Sequence, residues 1–276
     1  TLQIRGDTES NDGDVVAEFD VDLAGDQVYT AFAAGYLSPD DEPADTPFDL
    51  FLSQDTGGMS DGGIDEAPAS VRVAHLSPNA PNVDVSVDGS AVLEDVAFGV
   101  TSSYLDVPAG TRTVEITAAG DPDTSVFQGD VTVESGQPYT FAAVGEIGEM
   151  ADQPFEPLVL EDGNSAPGGD TARLRVVHAS PDAPAVDVTV AAGDLLFDGV
   201  PYGGSGYVEV PGGDYTVEIR GDTESNDGDV VADFDVSLNG GTVYTAFAAG
   251  YLSPDDEPDD TPFDLLVAQD ASGEMM

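Results

Sequence analysis

The chain has 276 residues, of which 55 are acidic and six basic, all six arginine, for a formal net charge of -49 at pH 7. So few cations leave no basic patch for phosphate, which excludes nucleic acid as a partner, and the absence of cysteine excludes disulfides and thiolate metal sites. Hydrophobic residues still make up 40% of the chain, in patterned runs, so this is not the composition of an unfolded acidic segment.

Taken in order, residues 1–55 align without a gap to 216–270, with 44 identities in 55 positions. The stretches at 4–17 and 28–43 repeat letter for letter. Residues 71–84, VRVAHLSPNAPNVD, recur at 174–187 as LRVVHASPDAPAVD, with His75 and His178 103 positions apart. The chain therefore reads as the second half of one repeat, 1–55, then a linker at 56–70 and a complete repeat at 71–160. A second linker at 161–170 and a second complete repeat at 171–276 follow. The linkers are short and rich in Gly, Asp, Ser and Ala, so neighbouring repeats are expected to sit end to end.

Within the middle repeat Val71 and Val73 alternate with Arg72 and Ala74, and Val83, Val85 and Val87 alternate with Asp84, Ser86 and Asp88. This is the period of half-buried strands. Further strands are expected at 102–107, 111–116, 126–133, 139–144 and 158–160. The last repeat repeats the series at 174–177, 186–190, 206–210, 215–220, 230–238, 243–249 and 263–267. No stretch has the pattern of a long amphipathic helix, and no apolar run is long enough to span a membrane. Seven or eight short strands in about a hundred residues predict an all-β fold of tandem immunoglobulin-like antiparallel β-sandwich domains. The opening half-repeat lacks the early strands of a sandwich. It reads as a cut edge, as a half-domain completed by another chain through strand addition, or as an autonomous half.

The residues with chemistry in reach are few. His75 and His178 are the only histidines, one per repeat, and each precedes a Ser-Pro turn: Ser77-Pro78 with Pro81 and Asp84, Ser180-Pro181 with Pro184 and Asp187. One histidine per domain, without partners in the sequence, makes neither a zinc site nor a triad, so these ten residues read as a structural signature. Ser77 and Ser180 lack the glycine-flanked elbow of a nucleophile. The loop holding Asp7, Glu9, Asn11, Asp12 and Asp14 recurs as Asp222, Glu224, Asn226, Asp227 and Asp229. Clustered oxygen ligands of this kind suit a hard cation, calcium before others, although the spacing is not that of an EF-hand.

The segments from His75 to Asp84 and from His178 to Asp187, with the Val-Pro-Ala-Gly and Val-Pro-Gly-Gly turns that follow, resemble the opening signature of the domain of unknown function 4397. The resemblance implies a β-sandwich found in tandem on secreted and cell-surface proteins of bacteria and archaea, with no catalytic residues to carry over. The acidic, lysine-free composition resembles that of an extremely halophilic archaeon. The expectation is a non-enzymatic structural or interaction protein, extracellular or at the cell surface, with no cofactor. Its expected partners are copies of itself in a head-to-tail filament, or other surface proteins and glycans. The alternative is a carbohydrate- or calcium-binding surface module.

Overall fold

Period-2 runs of Val, Ile, Thr and Tyr become strands in the computed structural model, which describes residues 2–5, 15–19, 21, 28–34, 49–55, 67–148, 151–191 and 193–272. The chain divides into two compact units, Thr1–Asp65 and Glu66–Met276. In the first unit β1 (Leu2–Arg5) pairs antiparallel with β2 (Val15–Phe19), and β3 (Val28–Ala34) with β4 (Asp49–Asp55).

The second unit holds both complete repeats, each a sandwich of two four-stranded sheets. The first sandwich runs β5 (Ala69–His75), β6 (Val83–Val87), β7 (Ser90–Val96), β8 (Leu105–Val107), β9 (Gly110–Ala118), β10 (Asp121–Val133), β11 (Pro138–Val144) and β12 (Glu156–Glu161). Its sheets have the orders β10-β9-β6-β7 and β12-β11-β5-β8. The second runs β13 (Thr171–His178), β14 (Val186–Val190), β15 (Leu195–Val200), β16 (Ser205–Pro211), β17 (Gly213–Gly221), β18 (Val230–Leu238), β19 (Thr242–Ala249) and β20 (Asp264–Ser272). Its sheets are β15-β14-β17-β18 and β16-β13-β19-β20.

The all-β sandwich expectation holds, with one refinement. β5 pairs parallel to β11 and β13 parallel to β19, so one sheet of each sandwich is mixed rather than antiparallel. Two strands escaped the sequence reading, β7 and β15. Both are edge strands whose pairing to β6 and β14 is broken by register shifts, which scrambles the period-2 signal.

A valine-rich core fills each sandwich, around Val71, Val83, Val114 and Phe141 in the first and Leu174, Val188, Ile219 and Tyr244 in the second. A third buried cluster draws on both: Ala74, Leu76, Ala142, Val144 and Leu160 from one, Val177, Ala179, Phe247 and Ala249 from the other. Its existence overturns the end-to-end expectation. The repeats pack sheet face on sheet face, and the stretch read as a linker contributes to the seam, because β12 runs to Glu161 and Asp162 is buried. Arg72 and Ala74, read as the solvent side of a half-buried strand, are buried too. β19 is buried along its whole length, as a strand covered on both faces must be.

Candidate functional site

Among the described residues, three places gather polar side chains. The first is the His-Ser-Pro turn of each sandwich. The His75 and His178 rings are fully buried, and their Nε2–H groups donate to the carbonyls of Pro81 and Pro184 at 3.0 and 2.9 Å. Phe98 and Tyr202 pack edge-on against them. Burial lowers both ring pKa values, only partly offset by those carbonyls, so both rings are neutral at neutral pH. Ser77 Oγ donates to Gly145 O at 2.6 Å, and Ser180 Oγ to Gly250 O at 2.7 Å. Ser180 Oγ also lies 3.0 Å from Asp182 Oδ1, so both hydroxyls face scaffold acceptors rather than the histidine beside them. The Pro78 carbonyl accepts from Thr261 Oγ1 across the seam at 2.9 Å, and Pro181 begins the matching turn of the second sandwich. Asp84 accepts from the backbone N–H of Asp95 and Gly120, which lower its pKa. Asp187 is fully buried and accepts from Gly199 and Thr223.

The second place is built on Asp187. Asp198 and Asp222 converge on it, with carboxylate oxygens of all three within 4.8 Å of one another. Asn226, in a left-handed conformation at φ 54°, brings its carboxamide to the same spot. Oriented with nitrogen inward, it donates to Asp198 Oδ1 at 2.7 Å, Thr223 O at 3.2 Å and Asp187 Oδ2 at 3.3 Å. Turned the other way, it adds a fourth side-chain oxygen to the cluster, an environment suited to a hard cation. Of the loop residues singled out in the sequence, Asp222 and Asn226 are therefore brought together. Asp227 instead accepts from Ser225 Oγ at 2.9 Å, and Glu224 and Asp229 are exposed and outside the cluster. The counterparts Asp7, Glu9, Asn11, Asp12 and Asp14 lie outside the described residues. Asp198 was missed. Its only signal is an Asp-Gly step where the β15 pattern breaks.

The third place is the seam. Arg72 and Arg175 lie with their guanidinium groups inside it, each 1% exposed. Arg72 Nε donates to Thr140 Oγ1 at 2.8 Å, and Nη2 to Thr245 Oγ1 of the other sandwich at 3.3 Å. Arg175 mirrors this, with Nε to Thr245 Oγ1 at 3.0 Å and Nη2 to Thr140 Oγ1 at 3.3 Å. Each arginine also pairs with a carboxylate of the opposite repeat, Arg175 with Asp162 at 2.6 Å and Arg72 with Asp270 at 2.7 Å. Tyr104 donates to Asp162 at 2.6 Å, and the faces of Tyr104 and Tyr207 lie under Arg72 and Arg175. Asp270 is the less well held of the two acids, because its Oδ1 has the ion pair but no aligned hydrogen bond. Burial raises its pKa against the pull of Arg72. The sequence carried two signs of this network that went unread: one arginine at the same place in each first strand, and uninterrupted apolar runs in β11 and β19.

A family model described as "Domain of unknown function (DUF4397)" matches residues 69–189 and 181–275. No curated protein matches the chain. Among solved structures, similarity extends to the Bacillus anthracis TIE protein, at 11% identity over 82% of this chain and 41% of that one, with a TM-score of 0.22. It also extends to a family 26 carbohydrate-binding module from Eubacterium rectale Amy13K in complex with maltoheptaose, at 10% identity over 73% and 97% of the two chains and a TM-score of 0.23. A putative cell adhesion protein from Bacteroides fragilis matches at 10% identity over 76% and 99%, with a TM-score of 0.19.

Proposed function

The chain belongs to the DUF4397 family of domains of unknown function, and we propose on that premise that it is a non-catalytic module of the cell exterior with a divalent-cation site on its last repeat. The observation that carries the reading is the convergence of Asp187, Asp198 and Asp222 within 4.8 Å, one of the three carboxylates fully buried. Asn226 stands ready to add its carboxamide oxygen, and calcium is the ion such a set of hard oxygens suits. The non-catalytic part is supported by the occupation of the reactive groups. Both histidines, both signature serines and both seam arginines are bonded within the scaffold. The exterior location is supported by what the family resemblance implies, and the lysine-free acidic composition suits a high-salt milieu such as that of a halophilic archaeon. Glycans and other surface proteins are the partner classes this reading admits.

Isothermal titration with calcium in molar sodium chloride, run beside Asp198→Asn and Asp222→Asn, tests the site. One saturable event per chain, lost in both variants and matched by a calcium-dependent rise in Tm, is the expected result. Heat that persists unchanged in the variants would be diffuse binding to the acidic surface and would remove the site. Head-to-tail assembly by strand complementation is a separate reading that rests on the sequence of the opening half-repeat alone. Light scattering and negative-stain imaging in the same salt decide it, since a monodisperse monomer rejects it.

A further inference from the structure

The seam between the two sandwiches has two parts of different symmetry. The Arg-Thr-Asp network is the same from either side: each repeat contributes one of each residue, and each arginine reaches across to the other's carboxylate. Along β11 and β19 the contacts follow a different rule. Thr140 and Thr245 share the same two arginines, and the Tyr251 hydroxyl donates to Glu146 Oε1 at 2.7 Å. In both cases a residue and its counterpart in the other repeat, 105 positions along, come to the same place, the threonines through shared donors and Tyr251 and Glu146 directly. The two strands are thus stacked in register, and the levels between, Ala142 with Phe247 and Val144 with Ala249, belong to the same buried cluster.

At each of these three levels the two repeats differ in a complementary sense. Ala142 is small where Phe247 is large, Val144 is larger than Ala249, and Glu146 accepts the proton that Tyr251 offers. A pair of middle-type repeats would set alanine against alanine, leaving a void, and glutamate against glutamate, burying two like charges. A pair of last-type repeats would set phenylalanine against phenylalanine, overfilling the seam. Such mismatches act against wrong partners without adding anything to the right one.

We infer that this sheet face is a recognition surface that accepts an unlike repeat of the same family and rejects its own kind. The Arg-Thr-Asp network supplies the general attraction, and the three stacked levels supply the choice. By sequence the opening segment has Thr30 and Asp55 at the network positions and Phe32, Ala34 and Tyr36 at the stacked ones, all identical to the last repeat.

The full chain provides the test, because single substitutions convert its seam into each wrong pair. Ala142→Phe and Glu146→Tyr imitate two last-type faces, whereas Phe247→Ala and Tyr251→Glu imitate two middle-type faces. Each is expected to lower the urea midpoint of the paired repeats. The exchanges A142F/F247A and E146Y/Y251E, which restore an unlike pair with the sides reversed, are expected to recover at least half of the summed loss. Losses that simply add in the exchanged chains, or single variants that match the parent, would overturn the inference. If a large substitution prevents folding, Val144→Ala, Ala249→Val and their exchange ask the same question with two side-chain carbons, and the same rule applies.

Discussion

The two histidine rings show how completely burial can decide what a residue does. Each loses its water, donates to a proline carbonyl, and has its pKa lowered from the ordinary 6.5, and the His178 Nδ1 also accepts from the Ser180 backbone N–H at 3.3 Å. Between that lowered value and 6.5 the unfolded chain binds more protons than the folded one, so stability rises with pH across the window and is lost as pH falls through it. Asp182, close to His178, opposes the shift there, so His75 is the cleaner reporter. We expect the urea midpoint to fall between pH 7.5 and 5.5, and His75→Gln to remove part of that fall while costing stability at pH 7.5. An unchanged pH slope in the variant would mean that the ring is not held neutral. Carboxylates with ordinary values titrate below this range and leave the comparison intact.

At the scale of single elements, the ends of β11 and β19 carry the clearest demand on residue type. Gly145 and Gly250 follow them at φ 82° and 88°, where a side chain is strained in any surroundings. A Cβ at either position would also run into backbone, at Pro154 and Pro262 respectively. The same turns carry the carbonyls that Ser77 and Ser180 bind, so the glycine, the serine and the bridge beyond form one device. Gly145→Ala and Gly250→Ala are each expected to cost about 1–3 kcal/mol or more in chemical denaturation, against near-neutral behaviour for alanine at exposed Gly168. These elements also show what could be read in advance. Strands with one wet face, such as β6 and β9, announce themselves by alternation, and the repeat spacing gave the expectation of tandem sandwiches. The seam stayed hidden because its evidence is two-sided. Arg72 looks like an outward residue until something covers it, and the run Phe141-Ala142-Ala143-Val144 suits a covered sheet as well as a plain core strand. The carboxylate cluster was half visible, since Asp222 and Asn226 come from one loop while Asp187 and Asp198 arrive from other parts of the sheet.

Over the paired repeats, the seam decides whether two sandwiches behave as two domains or as one. Buried ions are costly to remove from water, and a pair that is broken on one side leaves the other side uncompensated. Arg175 holds Asp162 from the opposite repeat, and Arg72 holds Asp270 in the same way, so unfolding either sandwich breaks both ion pairs at once. The apolar cluster around Phe247 would be exposed in the same event. Opening one repeat alone therefore carries much of the cost of opening both. Hydrogen exchange should report a common opening free energy for β9–β10 and β17–β18, the hairpins of the two sheets not in the seam. Arg175→Met, which removes the charge and keeps much of the volume, is expected to lower that shared value by about 3–5 kcal/mol in both hairpins at once. Surface repulsion from a net charge of -49 weakens as salt rises, while the buried pairs are screened far less, so the loss should persist in molar salt. Distinct opening energies in the parent chain, or a loss confined to β17–β18, would mean that the sandwiches touch without being coupled.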